Sequence, residues 1–87
     1  MMHPVFSVRD QMVGFNDPFC AVNENVAVRD FTNVVNNPSG RIYLNPNHYD
    51  LYRIGDFDTE TGKMTPCEPS LIVTGLSVKK GNEENEV

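Results

Sequence analysis

The stretch with the richest chemistry is "DFDTETGK", Asp56 to Lys63, where three carboxylates, two hydroxyls, a glycine and a lysine fall within eight residues. Three readings compete for it. A phosphate loop requires G-x-x-x-x-G-K-[ST] between a strand and a helix, so that backbone amides cradle phosphate and a hydroxyl reaches magnesium. Here six residues separate Gly55 from Gly62, Met64 follows Lys63, and nothing helical begins there. A calcium loop of the EF-hand type places oxygen ligands at positions 1, 3 and 5, glycine at 6 and Glu at 12. Asp56, Asp58 and Glu60 fit the first three positions, but Thr61 stands at the sixth and Cys67 at the twelfth, with no helix on either side. The third reading is a turn. Asp58 can accept backbone N–H groups across the loop, Thr59 and Glu60 can form its tight part, and Gly62 can supply the positive φ that closes it. This reading fits every residue and makes the stretch the tip of a hairpin.

The remaining reactive side chains are scattered. Cys20 and Cys67 lie far apart, and His3 and His48 are isolated. A metal site usually brings a close Cys or His pair, and a nucleophile requires an adjacent base. Neither pattern is present, so no catalytic residue, cofactor or metal is expected. The two cysteines are expected to be reduced thiols in a reducing compartment rather than a disulfide.

The elements that would position any surface are readable from pattern. The chain has 87 residues, which points to one domain with a modest core. "PVFSVRD" favours a strand, with Phe6 and Val8 on one face and Ser7 and Arg9 on the other. "QMVGFNDPFCAVNEN" reads as an irregular connection whose Met12, Phe15 and Phe19 are pinned against the core. In "NENVAVRDFTNVVNNPSG", Ala27, Val28, Phe31, Val34 and Val35 recur at helical spacing. Asn23 or Asn25 can cap the start, and Asn36, Asn37 and Pro38 stop the helix. Its valines lower intrinsic helix propensity, so packing against a sheet must hold it. Turn chemistry at Asn45-Pro46-Asn47 precedes a strand over "YDLYRIGDFD". In that strand Gly55 offers a bulge that turns Phe57 back onto the core face. "KMTPCE" reads as a weak returning strand and "SLIVTGLSV" as a final one. The expected fold is therefore α+β over residues 4–78, one amphipathic helix on a small, mainly antiparallel sheet in the order β-α-β-β-β. An acidic tail over 79–87 is expected to be disordered.

Charge narrows the partners. The net charge is −5, and Glu83, Glu84 and Glu86 carry three of those negatives, which leaves the body at −2. The seven bases are dispersed, and of these only Lys79 and Lys80 adjoin. Phosphate binding needs clustered bases that displace counterions, so autonomous tight DNA binding is disfavoured. No apolar run approaches the roughly 18 residues of a membrane helix, and the N-terminus has no signal-peptide pattern. A cytoplasmic location without membrane association is the default.

Four segments then line up in order: "VFSVRD", "PF" at Pro18-Phe19, "AVRDFTNVVNNP" and "LYRIGDFDTETGKMTP". Together they resemble the small nonstructural protein of gokushoviruses, single-stranded DNA phages of the Microviridae. That family shows F-x-V-x-D, P-F, A-x-R-x-F with a following V-N-x-P, and D-Y-x-L-Y-x-x-G-x-F-D-x-x-T-G. The first half matches through Phe6, Val8, Asp10, Pro18, Phe19, Ala27, Arg29, Phe31, Val35, Asn36 and Pro38. The hairpin half matches through Leu51, Tyr52, Gly55, Phe57, Asp58, Thr61 and Gly62. Many members carry H-P-E-D-Y before L-Y, whereas Asn45, Asn47 and His48 here replace a histidine and two carboxylates.

The resemblance implies a nonstructural protein of the host-cell cytoplasm that acts in viral single-stranded DNA replication or packaging. Its expected partner is a viral replication or procapsid protein, or a host replication factor. The alternative is a single-stranded DNA-binding protein, and a homodimer covering a sheet edge is a further expectation. The candidate partner contacts are Asp10, Arg29, Tyr52 and Arg53. Arg29 lies off the helical stripe and presents a planar fork of donors, against the plainer reading that it pairs with Asp10 or another carboxylate. Tyr52 and Phe57 can stack on bases, against the plainer reading that they are core.

Overall fold

The computed structural model describes residues 1–80. The acidic residues Glu83, Glu84 and Glu86, and with them most of the expected disordered tail, lie outside the described residues. The first strand, β1, runs from Met2 to Asp10. Two short strands follow, β2 at Gly14–Phe15 and β3 at Phe19–Cys20. The helix α1 spans Glu24–Val35. A 3-10 turn at Pro46–His48 leads into β4, Tyr49–Asp58, and a hairpin returns as β5, Met64–Thr74, before a single helical turn, α2, at Gly75–Val78.

The strands form one antiparallel sheet in the order β2-β1-β4-β5, with β3 also pairing along the free edge of β1. The α+β architecture is the one expected, with differences in detail. The connection over residues 11–25 is not wholly irregular, because residues 14–15 and 19–20 add to the edge of β1. The two expected C-terminal strands are one strand, which follows β4 through two irregularities in register. The segment "GLSV" is a helical turn and not the end of that strand; the Thr74 hydroxyl caps it by accepting from the Ser77 N–H at 3.2 Å.

The helix forms where the apolar spacing places it. Asn23 is its N-cap, in an extended conformation, and its side-chain oxygen accepts from the Val26 N–H at 2.9 Å. That bond satisfies a first-turn donor that has no partner within the helix. At the other end Asn36 leaves the helical conformation and its side chain takes two roles. Its amide donates to the carbonyls of Thr32 and Val78, and its oxygen accepts from the Lys80 N–H. The end of α1 thus holds the chain that follows α2.

Ala27, Phe31 and Val35 face the sheet and are buried with Phe6, Ala21, Ile42, Tyr49 and Leu51. The helix buries this stripe because its valine-rich sequence is a weak helix former alone. The flanks differ from the expectation: Val28 packs at the border of the core, while Val34 is about half exposed. Two further expectations are corrected. Met12 is 76% exposed at the β1–β2 turn and Phe15 is 47% exposed. Neither is pinned against the helix-side core; Phe19 is, with its ring 5.9 Å from that of Phe6.

Register settles which residues share a face, since directly opposed residues in an antiparallel pair project to the same side. Phe6, Val8 and Leu51 lie on the helix side, and Phe19 opposes Phe6 there. Ser7 opposes Tyr52, Arg9 opposes Phe15 and Asp50, and Tyr52 opposes Leu71, all on the side turned away from the helix. The irregularity between Val5 and Phe6 occurs where Gly55 pairs with Val5 and Arg53 with Phe6. A bulge at this point was expected to return Phe57 to the core face, but Phe57 pairs with His3 and Met64 and stays out of the helix-side core. Gly55 is glycine because the strands approach closely: a Cβ there would sit 2.6 Å from the Thr65 carbonyl oxygen.

Candidate functional site

The loop at residues 56–63 is a turn. Asp58 accepts from the Glu60 N–H at 2.9 Å and from the Thr61 N–H at 3.4 Å. The Gly62 N–H donates to the Asp58 carbonyl, and Gly62 has a φ of +76°, in the left-handed region that suits glycine. The Asp58 carboxyl is held below its ordinary value, chiefly by the Glu60 amide, with the Thr61 amide and hydroxyl adding to it. The chain start is stapled to the same loop. The Met1 amino group pairs with Glu60 at 2.8 Å, and the Met1 carbonyl accepts from both the Thr59 N–H and its hydroxyl. The carboxylates of this stretch are thus each occupied: Asp58 by backbone N–H groups, Glu60 by the Met1 amino group and Asp56 by Arg53. Among the described residues no group of three or more His, Cys, Asp or Glu side chains converges as a metal site would require. Cys20 and Cys67 are both free thiols.

The four candidate contact residues are not brought together. Asp10 ends β1, and its carboxylate accepts from the Met12 N–H at 2.9 Å, which shapes the β1–β2 turn. Arg29 does not pair with Asp10. It lies on the outer face of α1, and its Nε is 3.4 Å from a carboxylate oxygen of its neighbour Asp30, both side chains being exposed. Tyr52 projects from the sheet face opposite the helix. Arg53 projects to the helix side, pairs with Asp56, and lines a concavity of about 350 Å³ with Met2, Pro4, Val22, Asn23 and Glu24. Its Nε is shielded and has no hydrogen-bond partner among the described residues.

The structure assembles a different group, on the face turned away from the helix. The ring of Phe15 meets that of Tyr52 edge-on, centroids 5.3 Å apart, and the Arg9 guanidinium lies 6.0 Å from the Phe15 centroid. Leu71, 51% exposed, stands opposite Tyr52 on β5. A cation over an aromatic face and an edge-on aromatic pair are both favourable at these separations. The face of an antiparallel sheet turned away from the core is ordinarily polar; this one carries two rings, a leucine and a guanidinium beside the buried Ser7 and Asp50. Of the group, sequence reasoning singled out Tyr52 alone. The signal for Phe15 and Arg9 was the strict alternation of β1, which puts Arg9 opposite the core face, but the return of residues 14–15 onto β1 was not readable.

The outer edge of β5 is a second feature. Pro66 and Pro69 interrupt it, and proline cannot donate to an added strand. Continuous pairing along this edge is therefore restricted to the stretch from Ser70 to Thr74, which bears on the expected homodimer.

The third feature is a cavity of about 260 Å³ between α1 and the β1–β3 edge, lined by Val8, Phe19, Phe31 and Val34, with Asp30 as its charged member. No helix among the described residues is long and apolar enough to cross a membrane.

Fold and surface together define a small two-layer α+β domain: a helix covers one sheet face, and an aromatic group lies on the other. The sequence matches the family described as Phage ORF5 protein over residues 3–78, and the chain belongs to that family of phage proteins. Neither the curated proteins nor the solved structures give a match.

Proposed function

We propose that this phage protein is a noncatalytic, nonstructural factor of the gokushovirus type in the host cytoplasm, acting in viral single-stranded DNA replication or packaging by binding a protein partner. The partner is a viral replication or procapsid protein, or a host replication factor. One observation carries the reading of a binding surface: the sheet face away from the helix presents Phe15, Tyr52 and Leu71 beside Arg9. Aromatic residues and Arg are enriched at interfaces, where they bury large area at low entropic cost. The family membership supports a phage role, and the ordered motifs described above support the gokushovirus assignment.

Arg9 beside two rings also favours a second reading, in which the same face stacks on bases of single-stranded DNA. The net charge of −5 and the dispersed bases weigh against it.

Affinity capture from infected cells, with and without nuclease, separates the two. Recovery of a phage replication or capsid protein after nuclease, lost in a Phe15→Ala/Tyr52→Ala double variant, supports the first reading. Recovery of DNA alone, with salt-sensitive oligonucleotide binding that Arg9→Ala abolishes, supports the second.

A further inference from the structure

The chain beyond β5 lies as a short strap across the end of α1. It starts at Gly75, which is buried and has no room for a side chain: a Cβ there would collide with the Pro46 carbonyl oxygen and lie 2.7 Å from that of Tyr49. Gly75 is therefore a fixed point, pressed against the backbone that enters β4. Beyond it the hold is slight. Leu76 is half exposed and Ser77 is exposed, and Val78 is the one apolar side chain of α2 that packs against the core. A helix of four residues does not sustain itself. Its ties are long: the Ser77 N–H reaches the Thr74 hydroxyl at 3.2 Å, and the Lys79 N–H reaches the Leu76 carbonyl at 3.3 Å.

Two side chains act on the far end. Asn36 donates to the Val78 carbonyl at 3.0 Å and accepts from the Lys80 N–H at 2.8 Å. It grips the backbone on both sides of Lys79. The Lys79 side chain turns inward, with Nζ 3.1 Å from the centroid of the Tyr43 ring. That nitrogen is shielded from solvent and has no hydrogen-bond acceptor among the described residues. A ring face attracts a cation, but an ammonium removed from water without an acceptor loses its hydration and leaves its donors unmet. Asn36 thus closes the strap, and the Lys79 charge works against closure.

We infer that residues 76–80 form a strap that opens as a unit while the rest of the fold stays intact, with Gly75 as its pivot, Asn36 as its latch and Lys79 as the charge that favours the open form. Closed, the strap covers the core through Val78; open, it bares apolar core at the end of α1 and returns Lys79 to water. An opening that breaks few apolar contacts lies below global unfolding in free energy. Asn36 and Lys79 act with opposite signs, which sets a latch and an opposing charge apart from two ordinary stabilising contacts.

The test is native-state amide exchange of the full chain in low denaturant, followed by NMR and expressed as protection factors. The Lys79 and Lys80 amides are expected to be at least about tenfold less protected than those of Phe31 and Leu51, with little dependence on denaturant. Lys79→Met keeps an unbranched side chain against the Tyr43 ring and removes the charge; it is expected to raise protection at Lys80 roughly three- to tenfold. Asn36→Asp sets a carboxylate against the Val78 carbonyl and is expected to lower that protection roughly tenfold, with Phe31 and Leu51 unchanged. Exchange of the strap amides together with Phe31 and Leu51, at the same denaturant slope, overturns the inference. So does a loss of protection in Lys79→Met, because the Tyr43 contact would then be a net stabilising one. A chain with Glu83, Glu84 and Glu86 all replaced by Gln supplies a further check. Lower protection of Lys80 in that chain would make a carboxylate the partner of Lys79 and overturns the inference as well. The sign at Lys79→Met decides the matter even where Asn36→Asp disturbs the end of α1.

Discussion

Asp58 illustrates how an acidic residue with apparent site chemistry is consumed by structure. Its carboxylate closes the hairpin through the Glu60 and Thr61 amides, and these hold its carboxyl below the ordinary value of 3.8. A folded value lower than the unfolded one means that the ionised group stabilises the fold above the unfolded value. That contribution is lost as pH falls through the folded value. Asp58→Asn keeps the acceptor oxygen and cannot titrate. Its urea midpoint is expected to fall less steeply than that of the parent between about pH 5 and pH 2; identical acid dependence of the two chains would show that Asp58 is not the group responsible. Gly55 is constrained differently, by the Thr65 carbonyl oxygen 2.6 Å from where a Cβ would lie. Gly55→Ala forces the hairpin strands apart and is expected to cost about 1–3 kcal/mol, read by chemical denaturation, with faster amide exchange from Asp56 through Thr65 than in the parent.

At the scale of elements, α1 has one face that holds the fold and one flank that is half exposed among the described residues. Phe31 is 2% exposed, within the core cluster, whereas Val34 is 49% exposed at the cavity. Phe31→Ala is expected to cost about 3–5 kcal/mol, a large share of the stability of a small domain. Val34→Ala is expected to change stability by no more than about 0.5 kcal/mol. Thermal melts of the two variants check this contrast, and equal losses would mean that Val34 is packed in solution. The helix stripe was readable because periodicity identifies a face. The rotation of that face was not, since Val34 and Val35 are equivalent in pattern and only the position of the sheet distinguishes them.

For the whole molecule, the two layers leave two different surfaces: an aromatic group on the sheet face away from the helix and an apolar cavity beside α1. Replacing Phe15 and Tyr52 together by Ala removes exposed and half-buried rings outside the helix-side core. The double variant is expected to fold, with the circular-dichroism spectrum of the parent and a melting temperature within a few degrees. If it unfolds, the rings hold the sheet together and the surface role assigned to them fails.

The residues alone determined the helix and its C-terminal stop, the strand over Tyr49–Asp58 and the turn chemistry at its end; the choice of Asn23 over Asn25 as N-cap came from the structure. Each depends on neighbours within a few positions, where spacing, capping oxygens and glycine conformations act locally. Tertiary structure decided what depends on contacts distant in the chain: the return of Phe15 onto Arg9, the separation of Arg29 from Asp10, and the side of the sheet on which Tyr52 stands. Strand register fixes all side chains of a strand to one face or the other. It is set by the packing of the whole sheet, which no single segment encodes.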